Sequence, residues 1–366
     1  MEDNFCPIVK KMDVAALGGP GGVASEHDAP RFLPSFLGDH LALVEPALRQ
    51  SMPRRRAPVA SMAAHHMGWS NAELGRQQPN AGKRLRASLC LWACTACGGP
   101  AQMALPAAVA VEWVHNFTLV HDDVQDHDLE RRHRPTVWAI WGKGQAINAG
   151  DWLFALGLSA ISRRGPYPRR RRLAAGLLAD AVLRVVEGQC LDLSLEGRPQ
   201  ASPQTYLRLA RFKTGALLGA SLGMGAVMAG AAPQMRRRFQ RAGELLGTAF
   251  QVRDDWLGIW GDSALTGKSR DNDLARRKVT YPVVSAYAAA TPAQRRRMRQ
   301  LYSSSEAGQE DQIRSLLLEL GGPRLTADVP MRLADAALRA FDGAALPDEH
   351  LQQFEELVHF VALRES

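Results

Sequence analysis

The chain contains 366 residues, of which 46% are hydrophobic and 22% are charged, and this composition excludes a wholly disordered or fibrous protein. Its net charge of +8 favours anionic partners such as nucleic acid, acidic membranes or phosphorylated small molecules. The five cysteines, an odd number in a long chain, do not suit a disulfide framework, so we expect a cytoplasmic protein.

The amino-terminal segment differs from the rest of the chain. It contains a Gly/Pro cluster at 18–22, and its first 14 residues lack the apolar core of a signal peptide. We expect residues 1–36 to form a flexible tail and residues 37–366 to form one all-helical domain.

Beyond this tail, the sequence has the pattern of an all-α protein. Ala/Leu-rich stretches have helical spacing, Pro and Gly cluster between them, and alternating strand patterns are nearly absent. The clearest stretches are 106–128, 145–163, 206–231 and 235–260. The pattern predicts a single large helical bundle with short connections.

A basic segment at 163–172 holds six arginines in ten positions. Such a segment could contact nucleic acid, but neither a recognisable binding motif nor interleaved aromatic residues accompany it. We interpret it as a solvated loop and expect no nucleic-acid partner.

One apolar stretch, 214–234, is uncharged and nearly long enough to cross a bilayer. Its many glycines and alanines make transfer into lipid only weakly favourable. Gly215, Gly219 and Gly223 form a smooth stripe that admits a close neighbouring helix. We therefore expect a buried bundle helix and no transmembrane segment.

The first candidate site lies at the end of an apolar helix. Asp122 and Asp126 project from one face, which His115 joins, whereas Asp123 is their neighbour. Two carboxylates about 6 Å apart repel by roughly 3 kcal/mol, and a cation reverses that sign. Hard oxygen ligands favour magnesium over zinc. A solvated acidic helix end is the alternative interpretation.

A second acidic pair, Asp254 and Asp255, follows Gln251 on another apolar helix. Two acidic helix ends in one bundle can face each other across a pocket and hold several metal ions. Taken alone, this pair is a weak signal.

Basic residues flank both acidic motifs. They are Lys83, Arg86, Arg131, Arg132, Lys213 and Lys268. The planar arginine side chain matches phosphate oxygens, and lysine supplies a point charge. Basic residues close to metal-binding carboxylates therefore predict a substrate with several phosphates. Separately, each would be an ordinary surface charge.

In this order, the motifs resemble those of the trans-isoprenyl diphosphate synthase, or polyprenyl synthetase, family. The most specific stretch runs from His115 to Asp126 as HNFTLVHDDVQD and is followed by Arg131-Arg132. Further matching elements are Gly82-Lys83 with Arg86, Lys213-Thr214-Gly215, Phe250-Gln251 with Asp254-Asp255, Gly267-Lys268, Asp273 and Lys278. The resemblance covers about residues 37–282.

The resemblance implies an isoprenoid-synthase bundle with a central apolar cavity, in which isopentenyl diphosphate condenses with an allylic diphosphate. It also implies a homodimer and magnesium ions held by Asp122, Asp126 and Asp254. The implied ligands of the allylic diphosphate are Lys213, Lys268, Arg131 and Gln251. Those of isopentenyl diphosphate are Lys83, Arg86, His115 and Arg132. The Lys213 carbonyl or the Thr214 hydroxyl would stabilise the allylic cation.

Two positions depart from the family pattern. Gly258 stands where the second motif often has a third aspartate, and this change could weaken the third metal or alter selectivity. His133 replaces the usual glycine after the arginine pair and could change the loop near the phosphate.

Product length in this family depends on bulk below the first motif. Phe117, with small Thr118 beside it, is similar to synthases that stop at the twenty-carbon geranylgeranyl product. A helical wheel places Thr118 near the Asp122 face and Phe117 about 140° from it, so an ordinary core aromatic residue is equally compatible. We expect geranylgeranyl diphosphate, with farnesyl diphosphate as the second choice.

Two other functions fit part of the pattern. A terpene cyclase would need the metal motifs but not a second diphosphate site, so Lys83, Arg86, His115 and Arg132 favour condensation. A noncatalytic subunit that modulates an active synthase is the other alternative, against which the intact first motif argues.

Overall fold

The computed structural model describes residues 34–53, 58–70, 84–261, 272–304, 306 and 308–364. Almost all of the predicted tail, 1–36, lies outside these residues, as do the predicted phosphate ligands Lys83 and Lys268. The first described helix begins at Ser35, and its Phe36 and Leu37 side chains are already buried in the bundle.

The described chain is almost entirely α-helical, as the sequence predicts. Its first part contains α1 (Ser35–Ser51), α2 (Pro58–His66), α3 (Leu85–Ala96), α4 (Ala101–Gln125) and a short antiparallel hairpin of β1 (Glu130–Arg131) and β2 (Arg134–Pro135). Its middle contains α5 (Val137–Trp141), α6 (Lys143–Ser162), α7 (Pro168–Leu195), α8 (Pro203–Ala210), a π-helical turn (Arg211–Gly215), α9 (Ala216–Ala229) and α10 (Pro233–Trp260). Its last part contains α11 (Asn272–Ala275), α12 (Tyr281–Ala289), α13 (Pro292–Ser303), α14 (Glu310–Glu319), α15 (Gly322–Ala327), α16 (Val329–Arg339) and α17 (Asp348–Leu363).

Proline and glycine set several of these boundaries. Helices α7, α8 and α10 begin at Pro168, Pro203 and Pro233, where the fixed φ is already helical and the missing N–H costs no hydrogen bond. Helix α9 ends before Gly230, whose φ of 86° lies in the left-handed region. The Pro/Gly clusters are therefore connections between helices, as predicted.

Two clusters of buried hydrophobic side chains fill the bundle. One surrounds Trp92, Phe239 and Phe354, which come from α3, α10 and α17. The other surrounds Trp113 of α4 and includes side chains from α6, α7 and α9. Helix α9 contributes to both clusters, and every residue from 216 to 228 is buried. The middle of the bundle is thus built around α9.

Two stretches, Ala101–Gln125 and Pro203–Ala229, have the length and apolar composition of a membrane span. Other parts of the protein bury 61% and 83% of their most apolar windows. Such burial is typical of core helices. The prediction of a buried helix in 214–234 is confirmed, although the helix ends at Ala229.

The predicted glycine stripe packs α9 directly against α10. A Cβ atom on Gly219 would lie 2.8 Å from Cγ of Glu244, and one on Gly247 would lie 2.7 Å from Cα of Gly215. Such distances leave no room for a side chain. The small residues therefore bring α10 close to the π-helical turn.

The prediction of a solvated loop at 163–172 is wrong for its second half. Helix α7 begins at Pro168, and Arg171 is buried within it. The Arg171 guanidinium donates to the carbonyls of Ala160 and Ile161 at 2.9 and 3.2 Å, which lie in the last turn of α6. Its charge therefore caps a helix carboxyl end, where backbone carbonyls lack partners.

Candidate active site

The first acidic motif lies at the carboxyl end of α4, as predicted. Asp126 is the residue that closes the helix, and its N–H donates to the Asp122 carbonyl at 2.7 Å. Burial raises the pKa of Asp122; Lys213 opposes this effect, and the Asp126 carboxylate adds to it. A cation at this helix end would relieve both the burial cost and the repulsion.

Asp123 points away from this pair and is buried against Arg131. Nε and Nη2 of Arg131 both lie 2.7 Å from Oδ1 of Asp123. Burial outweighs this partner and raises the pKa of Asp123 to about 7. The ion pair fixes the side chain of Arg131 next to the first motif.

Asp123 makes the stability of the protein depend on pH. Because its pKa of about 7 in the folded state exceeds the ordinary 3.8, folding favours the protonated carboxyl, and that contribution is lost as pH rises through 7. Relative to an Asp123→Asn variant, the free energy of unfolding of the wild type should fall by up to about 1.4 kcal/mol per pH unit between about pH 4 and 7. Chemical denaturation of both proteins across this range measures the difference, and a constant difference would contradict it.

The hairpin after α4 positions Arg132. Arg132 and His133 form its two-residue turn, and their φ angles of 54° and 59° both lie in the left-handed region. Glycine adopts this conformation at less cost than histidine, which explains why a glycine is usual at the position of His133. Burial lowers the pKa of Arg132, and Arg84 and Arg131 lower it further. The hairpin thus adds a crowded positive charge to the site.

Arg86 and His115 meet at the predicted isopentenyl diphosphate site. Nη1 of Arg86 lies 3.0 Å from Nε2 of His115. Burial lowers the pKa of Arg86 to about 10, and burial with Arg86 and Arg132 holds the pKa of His115 well below its usual value. His115 is therefore neutral at physiological pH, and an anion beside it would offset the surrounding charge.

The π-helical turn places Lys213 and Thr214 beside the other predicted ligands. Nζ of Lys213 lies 2.5 Å from Oδ2 of Asp192 on α7. The Thr214 hydroxyl donates to Oε1 of Gln251 at 2.6 Å. A Cβ on Gly188 of α7 would clash with the backbone nitrogen of Lys213, so close packing holds the turn. Isolated π-helical turns are frequent at functional sites.

The two aspartates of the second motif have different surroundings. Asp254 forms an ion pair with Arg364, which follows α17. Asp255 is buried and accepts hydrogen bonds from the Tyr206 hydroxyl, the Tyr281 N–H at 3.0 Å and Nε2 of Gln251 at 3.0 Å. Burial raises the pKa of Asp255 to about 7, against the effect of these donors. Asp254 is thus the more accessible carboxylate of the two.

Lys278 connects the two acidic motifs electrostatically. Burial lowers the pKa of its ammonium group, but nearby carboxylates outweigh burial and raise it overall. These carboxylates are Asp273, Asp192, Asp126 and Asp255. The Lys278 ammonium therefore interacts electrostatically with a carboxylate of each motif, Asp126 and Asp255.

Another carboxylate occupies the space that Gly258 leaves open. A Cβ atom on Gly258 would lie 2.7 Å from Oδ2 of Asp273, on α11. Asp273 thus places a negative charge where an aspartate side chain at position 258 would begin. This side of the site therefore still has a carboxylate, although the third aspartate of the second motif is absent.

The carboxylates suit a hard divalent cation that also binds phosphate oxygens. Within the described ranges, no three His, Cys, Asp or Glu side chains form a cluster that could hold a metal by themselves. Magnesium commonly uses one or two carboxylates together with substrate phosphates and water. Two of the candidate metal ligands form ion pairs with arginines: Asp126 with Arg276, and Asp254 with Arg364. Both positions therefore favour positive charge, and the donor set fits magnesium.

Phe117 lies on α4, and its side chain packs against α6. Its ring centroid is 5.1 Å from that of His121 and 5.2 Å from that of Phe154 on α6. The Thr118 hydroxyl donates to the His115 carbonyl at 2.7 Å. The two predicted length-determining residues thus point in different directions, as the helical wheel indicates.

Some residues of the site were not assigned a role from the sequence. These are Asp192, Arg276, Lys278 and Arg364. Asp192 had a local signal, because Gln189 and Asp192 place two polar side chains one turn apart on α7, and both are buried. The arginines had no such signal.

Comparison with known proteins shows the family to which this chain belongs. A family model described as polyprenyl synthetase matches residues 73–320. The geranylgeranyl diphosphate synthase of Mycobacterium tuberculosis (strain ATCC 25618 / H37Rv) is 40% identical over 317 residues, which cover 83% of this chain and 85% of that protein. The (2E,6E)-farnesyl diphosphate synthase of Mycobacterium bovis is 35% identical over 355 residues, which cover 95% of this chain and 98% of that protein.

Solved structures share the fold over most of the chain. A polyprenyl synthetase from Streptomyces coelicolor A3(2) has a TM-score of 0.83 and 37% identity, over 89% of this chain and 98% of that chain. A polyprenyl synthase from Caulobacter crescentus CB15, complexed with calcium and isoprenyl diphosphate, has a TM-score of 0.79 and 27% identity, over 92% and 100% of the two chains.

Proposed function

Because this chain belongs to the polyprenyl synthetase family and is a trans-prenyltransferase, we propose that it condenses isopentenyl diphosphate with an allylic diphosphate in the cytoplasm. The observation that carries this proposal is the segment from Arg276 to Tyr281, which contacts both acidic motifs. Nη2 of Arg276 lies 2.7 Å from Oδ1 of Asp126 in the first motif, and the Tyr281 N–H donates to Oδ2 of Asp255 in the second at 3.0 Å. Two acidic motifs joined in this way, with several cations close by, suit a diphosphate leaving group.

The allylic diphosphate binds against Lys213, Arg131 and Gln251, with Lys268 from outside the described residues. Asp122, Asp126 and Asp254 would hold magnesium, which when bound would supply positive charge to the diphosphate oxygens. The donors and cations of the chain stabilise the leaving diphosphate more strongly as its negative charge grows, which favours cleavage of the allylic C–O bond. The electron pair of that bond stays with the diphosphate.

The second substrate binds against Arg86, His115 and Arg132, with Lys83 outside the described residues. Its double bond attacks the allylic cation and forms the new C–C bond. The cation that results then loses a proton to the departed diphosphate, which restores a double bond. The Lys213 carbonyl and the Thr214 hydroxyl place dipoles beside the cation. Exclusion of water from the site protects the cation until the bond forms.

We propose geranylgeranyl diphosphate as the product. The M. tuberculosis geranylgeranyl diphosphate synthase is 40% identical to this chain, whereas the M. bovis farnesyl diphosphate synthase is 35% identical. The resemblance of Phe117 to the bulky residue of synthases that stop at twenty carbons supports the same product, and its ring packs against Phe154 of α6.

Phe117→Ala should lengthen the product by at least one five-carbon unit. Removal of the ring opens space beside His121 and Phe154, into which a longer chain can extend. Mass measurement of the products of wild type and variant tests this expectation. An unaltered product would place the end of the pocket elsewhere.

Arg86→Ala should raise KM for isopentenyl diphosphate by about tenfold to a hundredfold, because one charge-assisted contact contributes about 1.5–3 kcal/mol. KM for the allylic substrate should change much less. Steady-state kinetics with each substrate varied in turn measures both. As a matched control, Arg297→Ala removes an exposed arginine that pairs with Glu319 and should change neither constant. Equal changes in both KM values for Arg86→Ala would argue against its assignment.

A homodimer is part of this proposal. Exposed apolar side chains lie along α6 and α7, at Ile147, Leu158, Leu183, Val186 and Leu193. An exposed apolar face of this kind suits burial against a second copy of the chain. Light scattering after gel filtration should give twice the 40.0 kDa of one chain, and a monomer at micromolar concentration would contradict the dimer.

The direct test of the proposed function is turnover by the purified chain. Isopentenyl diphosphate with each allylic diphosphate and magnesium should give a longer prenyl diphosphate, identified by its mass. A hydrocarbon formed from the allylic diphosphate alone would indicate a terpene cyclase instead. No product from any combination would leave a noncatalytic modulating subunit as the better account.

A further inference from the structure

Arg276 connects the turn after α11 to the first acidic motif. Its Nη2 lies 2.7 Å from Oδ1 of Asp126, and its Nη1 lies 3.1 Å from Oδ1 of Asp128. The side chain is 24% exposed, so solvent screens this fork only partly. One guanidinium thus holds two carboxylates at the end of α4.

Arg276 is also one of several cations near the candidate site, together with Lys213 and Lys278. It contributes to the electrostatic environment of Asp192. The positive charge of Lys213 in turn lowers the pKa of Asp122, against the larger opposite effect of burial. Arg276 therefore lies among the cations that border the proposed leaving group, although no sequence motif assigns it there.

The contact with Asp126 conflicts with metal binding at the same carboxylate. A divalent ion at Asp126 and a guanidinium at the same oxygen repel each other across a short distance. A guanidinium has five N–H donors in a planar fork that also matches phosphate oxygens. When the ion binds, the fork can leave Asp126 and donate to the diphosphate that arrives with it.

We propose that Arg276 is an exchangeable counterion, which holds Asp126 in the free enzyme and donates to the substrate diphosphate in the loaded one. This inference rests on the proposed function, because it takes Asp126 as a metal ligand and a diphosphate as the ligand between the motifs. Its consequence is that metal alone binds weakly, whereas metal and diphosphate bind together. The allylic diphosphate thus gains a contact that the known motifs do not provide.

The test is a pair of titrations of the full chain that do not require turnover. The first follows binding of Mn²⁺ alone, and the second follows binding of inorganic pyrophosphate at saturating Mn²⁺. In R276Q, Mn²⁺ alone should bind about tenfold more tightly, because Asp126 is released, and pyrophosphate about tenfold more weakly, because one charge-assisted contact is lost. A purely structural role would not move the two affinities in opposite directions.

Two further variants complete the test. R276K keeps the positive charge but lacks the planar fork of donors. Its Mn²⁺ affinity should stay near that of the wild type, while its pyrophosphate affinity should fall by a few fold. R276K also provides the test if R276Q folds poorly. R297Q is the matched surface control and should change neither affinity. In R276Q, unchanged affinities or changes of the same sign would overturn the inference. In R276K, an unchanged pyrophosphate affinity would overturn it. Failure of the wild type to condense its substrates would instead reject the proposed function, while the titrations would still report on Arg276.

Discussion

An Asp122→Asn variant should lose at least about a thousandfold in kcat, the largest effect expected for a single substitution in the site. Asparagine keeps the shape of the side chain but removes its charge. Asp122 lies near Lys213, Arg131 and Lys278, so the substitution leaves an excess of positive charge where a divalent ion should bind. Steady-state kinetics at saturating substrates and magnesium measures the loss.

The helical content of Asp122→Asn should stay close to that of the wild type, because Asp122 carries no ion pair that fixes α4 to another helix among the described contacts. Circular dichroism checks this expectation. Asp311→Asn makes the same chemical change at a side chain that is 93% exposed, and its kcat should be unaltered. A fully active Asp122→Asn enzyme would remove Asp122 from the metal site.

The second large effect is expected from Lys213→Met. It should lower kcat by about a hundredfold or more, since removal of one preorganised donor to a developing anion typically costs that much. The fold should tolerate the change, because Lys278 and Arg276 remain near Asp192 and keep its buried charge compensated. The loss should therefore appear in kcat and in KM for the allylic substrate rather than in stability.

Arg297→Met provides the comparison for Lys213→Met, since it removes one positive charge from an exposed position. Kinetics with the allylic substrate varied should separate the two variants clearly. A Lys213→Met enzyme that keeps its kcat but unfolds more readily would show that the Lys213–Asp192 pair is structural.

The apolar periodicity of the sequence predicts the main helices within a few residues. The stretch 235–260 corresponds to α10, Pro233–Trp260, because its burial pattern repeats with the helical period. The stretch 206–231 is also largely helical, but it is not one regular α-helix, because a π-helical turn at Arg211–Gly215 separates α8 from α9. That turn depends on contacts with other helices, such as the close approach of Lys213 to Gly188, which the local sequence does not encode.

Asp122 and Asp126 could be selected from sequence because they lie four residues apart at the end of an apolar helix, whereas Asp254 could be selected through the resemblance to the family's second motif. Their arginine partners could not. Arg276 and Asp128 are 148 positions apart, and Arg364 and Asp254 are 110 positions apart. Such pairs form only after the bundle has folded, and one arginine in a chain with many basic residues carries no signal of its partner.

Crystals grown with Mn²⁺ and inorganic pyrophosphate provide the most direct test, because anomalous scattering locates each manganese ion independently of the protein. We expect manganese at Asp122 and Asp126, a further ion at Asp254 and the pyrophosphate between them. Manganese on only one of the two helices, or pyrophosphate bound away from both, would contradict it.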